Sequence, residues 1–184
     1  ATIDGRYTLY PERYNEVWVR DSKTTDVVAW LRGHESMTLF IKCSPDGRWV
    51  ATTSMDCTAR VWNATTFCLQ AILTGHAGPV DQAQFSQDGG RVVTTSQDGS
   101  ARMFDAETGY LLAHYSAPPA RITTAWFAPG DRHVITRCSD GHDRVWDAGP
   151  EGRTVDALTP LIRARALVRF EPDSSPFVVA NDWK

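Results

Sequence analysis

The chain has 184 residues, of which 42% are hydrophobic, 10% aromatic and 22% charged, with a formal net charge of −3. That composition supplies a core and excludes a disordered, collagenous or coiled-coil chain. No apolar run approaches the ~18 residues needed to span a bilayer, and the opening ATIDGRYTLYPERY lacks the basic start and apolar stretch of a secretory signal. The weakly acidic balance gives no electrostatic reason to expect a nucleic acid or an anionic membrane as partner. A soluble, cytoplasmic chain is the expectation.

Cys43, Cys57, Cys68 and Cys138 are separated by 14, 11 and 70 residues, which makes no CxxC pair and no zinc knuckle. Four cysteines are too sparse for a disulfide framework, so they read as buried or half-buried thiols in a reducing compartment. No metal site and no cofactor is expected.

A repeat organises the sequence. Gly33-His34 recurs as Gly75-His76, 42 residues later, and Asp56, Asp98 and Asp140 fall at successive steps of 42. Trp62, Phe104 and Trp146 follow, each six residues after its aspartate, and SPDGRWVATTSMD, SQDGGRVVTTSQD and APGDRHVITRCSD align without a gap.

In chain order, IDGRYTLY reads as a turn and the second strand of a unit, EVWVRD as its third strand with Trp18 in the aromatic position, and VVAWL as its outer strand. Residues 1–32 are thus a partial unit whose first strand is missing. Full units follow at 33–74 and 75–116, with a degenerate one at 117–159. In the second of these the strands read PVDQAQFS, RVVTTSQ, SARMFDA and YLLAHYS, with turns at Asp88-Gly89, Asp98-Gly99 and Glu107-Thr108-Gly109. Residues 160–184 hold ALVRFEPD and PFVVAND, a first and a second strand with Asp182 near the turn. Short β-branched and aromatic segments between turns predict an all-β meander with few helices.

Gly-His, a strand ending in Ser-Pro-Asp-Gly, an Asp turn, and a strand ending in Arg-Val-Trp-Asn or Arg-Val-Trp-Asp together resemble the WD-repeat β-propeller family. The resemblance covers almost the whole chain, and CTARVWNATT and GSARMFDAETG are worded most like bacterial members. It implies four-stranded antiparallel blades, about three complete, with partial blades at both ends. A closed ring takes four to eight blades, so a segment of a longer protein is expected. The rival is a four-blade ring in which the two end pieces share one blade.

Thr52, His34 and Asp56 could imitate a hydroxyl–imidazole–carboxylate triad. The family resemblance assigns them instead, with Trp62, to a hydrogen-bonded chain inside the blade. Carried over by position, the next unit has His76, Thr94 and Asp98 with Phe104 in place of the indole. The third has Thr136, Asp140 and Trp146, with Pro118 at the histidine position. A constellation that recurs with the repeat is architecture, so no catalytic residue is expected. Ile41, Ala83 and Ala125 align, as do Cys43, Phe85 and Phe127, and these should face neighbouring blades as core. Asn63-Ala64-Thr65 matches a glycosylation acceptor but reads as a hairpin turn, and Arg163, Arg165 and Arg169 read as a solvated strand face.

The resemblance further implies a protein or peptide ligand at the narrow loop face. Contact positions lie three and five residues after the histidine and one before the turn aspartate. Here they are Met37, Leu39 and Met55, then Pro79, Asp81 and Gln97, then Arg121, Thr123 and Ser139. The function expected is a non-catalytic interaction scaffold or sensor in signalling. Rival readings are a partial propeller that assembles with other copies of itself, and the propeller part of an enzyme with catalysis elsewhere, since such repeats are often joined to kinase or NTPase modules.

Overall fold

Alternation of apolar and polar residues, broken every five or six residues by a turn, produces fifteen short strands among the described residues. The computed structural model describes residues 2–3, 5–12 and 15–149. The strands are β1 (Thr2–Ile3), β2 (Tyr7–Glu12), β3 (Glu16–Asp21), β4 (Val27–Leu31), β5 (Thr38–Cys43), β6 (Trp49–Ser54), β7 (Ala59–Asn63) and β8 (Leu69–Leu73). They continue as β9 (Val80–Phe85), β10 (Arg91–Ser96), β11 (Ala101–Asp105), β12 (Leu111–Tyr115), β13 (Ile122–Phe127), β14 (His133–Cys138) and β15 (Asp143–Asp147).

All pairing is antiparallel and local, in sheets β1–β4, β5–β8, β9–β12 and β13–β15. The first sheet corrects one expectation: the two-residue strand β1 pairs Thr2 with Thr8 and Ile3 with Tyr7, so this sheet has four strands rather than three. The expected fourth strand after β15, the two strands of 160–184 and the three arginines of that region lie outside the described residues.

Turn chemistry decides where each strand ends. In the three later sheets the chain between the second and third strands turns through a positive φ, which Gly99 (φ 87°) and Gly141 (φ 80°) adopt without a side-chain clash. Cys57 occupies the same position at φ 67°, where a side chain is strained.

Both faces of the inner sheets are apolar because each packs against two neighbours. Leu9, Val17, Val19 and Leu31 of the first sheet meet Val50, Trp62 and Ala64 of the second. The opposite face of the second, with Ala51, Val61 and Leu73, meets Val80, Ala83, Phe85, Val92 and Phe104 of the third. The third then turns Val93, Met103, Ala113 and Tyr115 to Ala125, Phe127, Val134 and Trp146 of the fourth. Full burial of such side chains contributes roughly 1.5–3 kcal/mol each. The Tyr115 and Trp146 rings lie 5.3 Å apart, and burial pushes the Tyr115 phenol up to about 12. Ala83, Phe85, Ala125 and Phe127 are core as expected, whereas Ile41 and Cys43 are only half-buried.

Candidate functional site

Two of the three repeated polar constellations close as hydrogen-bonded chains through their histidines. In the β5–β8 sheet, His34 Nδ1 lies 2.8 Å from Asp56 Oδ2 and His34 Nε2 lies 2.8 Å from Thr52 Oγ1. Trp62 Nε1 donates to the same hydroxyl at 2.9 Å. The Asp56 carboxylate only accepts, so a neutral imidazole keeps its proton on Nδ1 and donates it to Asp56. Its Nε2 accepts from the Thr52 hydroxyl, which itself accepts from the indole. Proton direction is therefore fixed along Trp62, Thr52, His34 and Asp56.

The charge states agree with that polarity. Burial holds the His34 pKa below the ordinary 6.5, outweighing the pull of Asp56. Burial would raise the Asp56 carboxyl, but hydrogen bonds from Thr58, His34 and the Glu35 amide hold it at about 2. A neutral donor thus faces a carboxylate whose other acceptor sites are filled by Thr58 Oγ1 at 2.6 Å and the Thr58 amide at 2.9 Å. Such an imidazole has no free nitrogen to act as a base.

The β9–β12 sheet repeats the arrangement, with His76 Nδ1 2.8 Å from Asp98 Oδ2 and His76 Nε2 3.0 Å from Thr94 Oγ1. Phe104 is buried where the indole would be, so nothing donates to Thr94 from that side and the Thr94 hydroxyl also approaches the Arg102 carbonyl at 3.4 Å.

The β13–β15 sheet corrects the third assignment. Trp146 Nε1 still donates to Thr136 Oγ1 at 2.8 Å. Pro118 is exposed and has no imidazole to bridge inward, so Asp140 stands apart from Thr136. It pairs instead with Arg144 at 2.8 Å and accepts the His142 amide at 3.0 Å. Arg144 first, then that amide, hold its carboxyl at about 2.

Sequence reasoning missed the arginine that couples to the Gly-His step. At Gly33 (φ 140°) and Gly75 (φ 111°) a Cβ would run into the guanidinium of Arg60 and of Arg102. The glycine lets the third-strand arginine lie against the loop. In the β13–β15 sheet Ala117 stands in that place, and Arg144 turns to Asp140.

The predicted contact residues are gathered by two repeated backbone devices. The first strands of the three later sheets carry a register shift, between Thr38 and Phe40 in β5, at the β9 partners of Thr95 and Ser96, and between Ile122 and Thr124 in β13. The extra residues are Leu39, Asp81 and Thr123. A bulge re-aims the side chain it inserts. Beside each bulge, a backbone bond ties the other two positions of the trio. Met55 donates to the Met37 carbonyl at 2.9 Å, Gln97 to Pro79 at 2.9 Å and Ser139 to Arg121 at 2.8 Å.

Their chemistry differs from sheet to sheet. Met37 and Met55 are 38% and 44% exposed, with Leu39 half-buried between strands. Asp81 accepts from Gln97 Nε2 at 2.9 Å. Arg121 donates to the Gln97 carbonyl across the sheet boundary, and its stem packs on Gly99. Thr123 Oγ1 donates to the Arg137 carbonyl at 3.1 Å. The face therefore runs from apolar to polar across three sheets.

The thiols lie elsewhere. Cys138 is buried, Cys43 and Cys57 are half-buried, and Cys68 is exposed, which corrects the expectation that all four would be at least partly covered. The Asn63 hairpin is a turn, in which Asn63 Oδ1 accepts the amides of Thr65 and Thr66 at 2.9 Å.

Stacked antiparallel sheets of about four strands, joined in sequence and packed face to face, define a partial β-propeller. Residues 25–63 and 67–105 match the family model "WD domain, G-beta repeat", so two units of the chain are similar to WD repeats. Each matched unit starts on the outer strand of one sheet, β4 or β8, and continues through the first three strands of the next. Over 53 residues, 29% of the chain, it is 43% identical to TBC1 domain family member 31 of Xenopus tropicalis. Over 51 residues, 28% of the chain, it is 37% identical to human WD repeat-containing protein 36. The matched stretches cover 5% and 6% of those two proteins, so the chain corresponds to a small part of either. These relatives are a frog and a human protein, which lend no support to a bacterial character.

Proposed function

We propose that the chain is a non-catalytic protein-interaction scaffold or sensor, and that it holds a protein or peptide on the loop face formed by the bulges of β5, β9 and β13. The observation that carries this reading is the three-fold recurrence of one backbone device with different side chains. The bulge and the amide-to-carbonyl tie are the same in each sheet, while the residues they display change from Met37, Leu39 and Met55 to Asp81 and Gln97 and then to Arg121 and Ser139. A rigid frame with variable exposed residues is how loops on a scaffold specify a partner. Exposed methionines at one end suit an adaptable apolar contact.

The polar chains behind this face support the non-catalytic reading. In the two complete ones each imidazole nitrogen is committed and each carboxylate is saturated. The test is site-specific photo-cross-linking from position 55 on the face and position 69 on the outer strand β8. A discrete adduct from position 55 alone supports the reading, and adducts from position 69 alone overturn it.

A further inference from the structure

The third-strand arginines that lie against the Gly-His loops have no counter-charge. Arg60 and Arg102 hold the same place in the second and third sheets, each two residues before the aromatic Trp62 or Phe104. A Cβ at Gly75 would stand 3.0 Å from Arg102 Nη1 and 3.5 Å from its Cζ, so the guanidinium lies along the loop. Arg60 Nε and Arg102 Nε are shielded from solvent and have no hydrogen-bond partner. Neither guanidinium is paired to a carboxylate among the described residues. The equivalent Arg144 is, through Asp140 at 2.8 Å.

In the third sheet a second basic group joins the first. Arg102 of β11 stands directly opposite His114 of β12, and residues so paired share a face of the sheet. It is the face that Phe104 turns to the second sheet, and the His114 side chain is exposed at its outer edge. Burial first, and then the Arg102 charge, hold the His114 imidazole below the ordinary 6.5, while Asp98 pulls the other way. Asp98 is not available to either group. Its Oδ2 takes His76 Nδ1 and the Ala77 amide, and its Oδ1 takes the Ser100 amide and hydroxyl. In the second sheet Ile72 occupies the position opposite Arg60, so only the third sheet sets two cationic groups side by side. The edge lies between two sheets that each have four strands.

Like charges directly opposite on neighbouring strands destabilise a sheet, and an anion between them reverses the sign. We propose that Arg102 and His114 hold a phosphate group at the outer edge between the second and third sheets. A carboxylate offers two oxygens in one plane, which a guanidinium fills by itself. A phosphate adds a third acceptor oxygen and carries about two negative charges, which a guanidinium and an imidazolium together match. Binding draws a proton onto His114, because an adjacent anion favours the charged ring. The recognised chemistry is the phosphate dianion, free in solution or carried on a phosphorylated side chain. The site is separate from the loop face and stands whether or not that face holds a partner.

Nuclear magnetic resonance of the whole chain tests this, following the five histidine rings while inorganic phosphate replaces chloride at constant ionic strength. The His114 pKa should rise with phosphate and level off, while His142, beside the Arg144–Asp140 pair, should not respond. Arg102→Gln should raise the half-saturating concentration at least about tenfold, and Arg60→Gln should leave it unchanged. Ile72→His gives Arg60 the neighbour that Arg102 has, and should add a second responding ring even if Arg102→Gln fails to fold. A phosphoserine peptide that saturates His114 at lower concentration than inorganic phosphate identifies a phosphorylated chain as the source, and equal values identify the free ion. A His114 ring indifferent to phosphate, a response that never saturates, equal saturation by acetate, an unchanged response in folded Arg102→Gln, or a folded Ile72→His chain whose new ring ignores phosphate would each overturn the proposal.

Discussion

The Met55 amide donates to the carbonyl of Met37 at 2.9 Å, and this bond joins the loop that follows His34 to the turn that holds Asp56. Asp56 in turn accepts from His34 Nδ1 at 2.8 Å and from the Glu35 amide at 3.0 Å. The exposed methionines and the buried polar chain are two sides of one loop pair. What stabilises the chain also fixes the spacing of the face.

Removing Asp56 should therefore cost more than removing Asp140. Asp56→Ala leaves the His34 N–H and the Thr58 hydroxyl without their acceptor, a loss of about 1–3 kcal/mol. Asp140 is exposed, and its side chain holds Arg144 and His142, so Asp140→Ala should cost less. Urea unfolding of the two variants checks the ordering, and equal losses would count against it.

Trp62→Phe installs in the second sheet what the third sheet already carries. The change removes the donor to Thr52 at 2.9 Å and leaves one acceptor site of that hydroxyl empty. A loss of about 1 kcal/mol is expected from the missing hydrogen bond, with some further loss from the unfilled volume. Phe104→Leu, which breaks no hydrogen bond, separates the volume effect.

Gly33→Ala should destabilise by about 1–2 kcal/mol, because a side chain at positive φ is strained and the new Cβ meets the Arg60 guanidinium. Adding Arg60→Ala should recover the steric part and leave the backbone part. A double variant no more stable than Gly33→Ala would show that the guanidinium is not the obstacle.

Acid should weaken the fold in two stages. Burial holds His34 and His76 below the ordinary 6.5, so the unfolded chain binds protons that the folded chain refuses. The stability they contribute is complete above the unfolded value and is lost as pH falls through it towards the folded one. Asp56, at about 2 against an ordinary 3.8, and Asp98, also lowered, add a second loss below that unfolded value. For Asp56 this amounts to about 2 kcal/mol. Urea midpoints should be flat above neutrality and fall on acidification, and His34→Gln with His76→Gln should flatten the upper stage. Stability that increased in mild acid would contradict this.

The repeat made most of the fold legible. A 42-residue step in three residue types located β5 to β15, because hairpin strands and their turns are local features, and the family resemblance placed the two polar chains that close on His34 and His76. The two-residue β1 left no pattern long enough to read. Pro118 at the histidine position already left Asp140 without an imidazole partner; that Arg144 takes the imidazole's place depends on side-chain packing, which register does not give. The bulges at Leu39, Asp81 and Thr123 and the Arg60–Gly33 contact were also silent, since both depend on backbone pairing between segments rather than on composition.

The central claim is that the face carrying Met37 and Met55 holds the partner. The direct measurement is the affinity of the protein cross-linked through position 55 for the wild-type chain and for the Met37→Glu/Met55→Glu variant, by titration calorimetry. Both methionines are exposed, so the thermal midpoint should not move. Burying two carboxylates in an apolar contact should weaken binding by at least about tenfold. Unchanged affinity, with the loss appearing instead in Leu69→Glu/Ile72→Glu on the outer strand, would contradict the account.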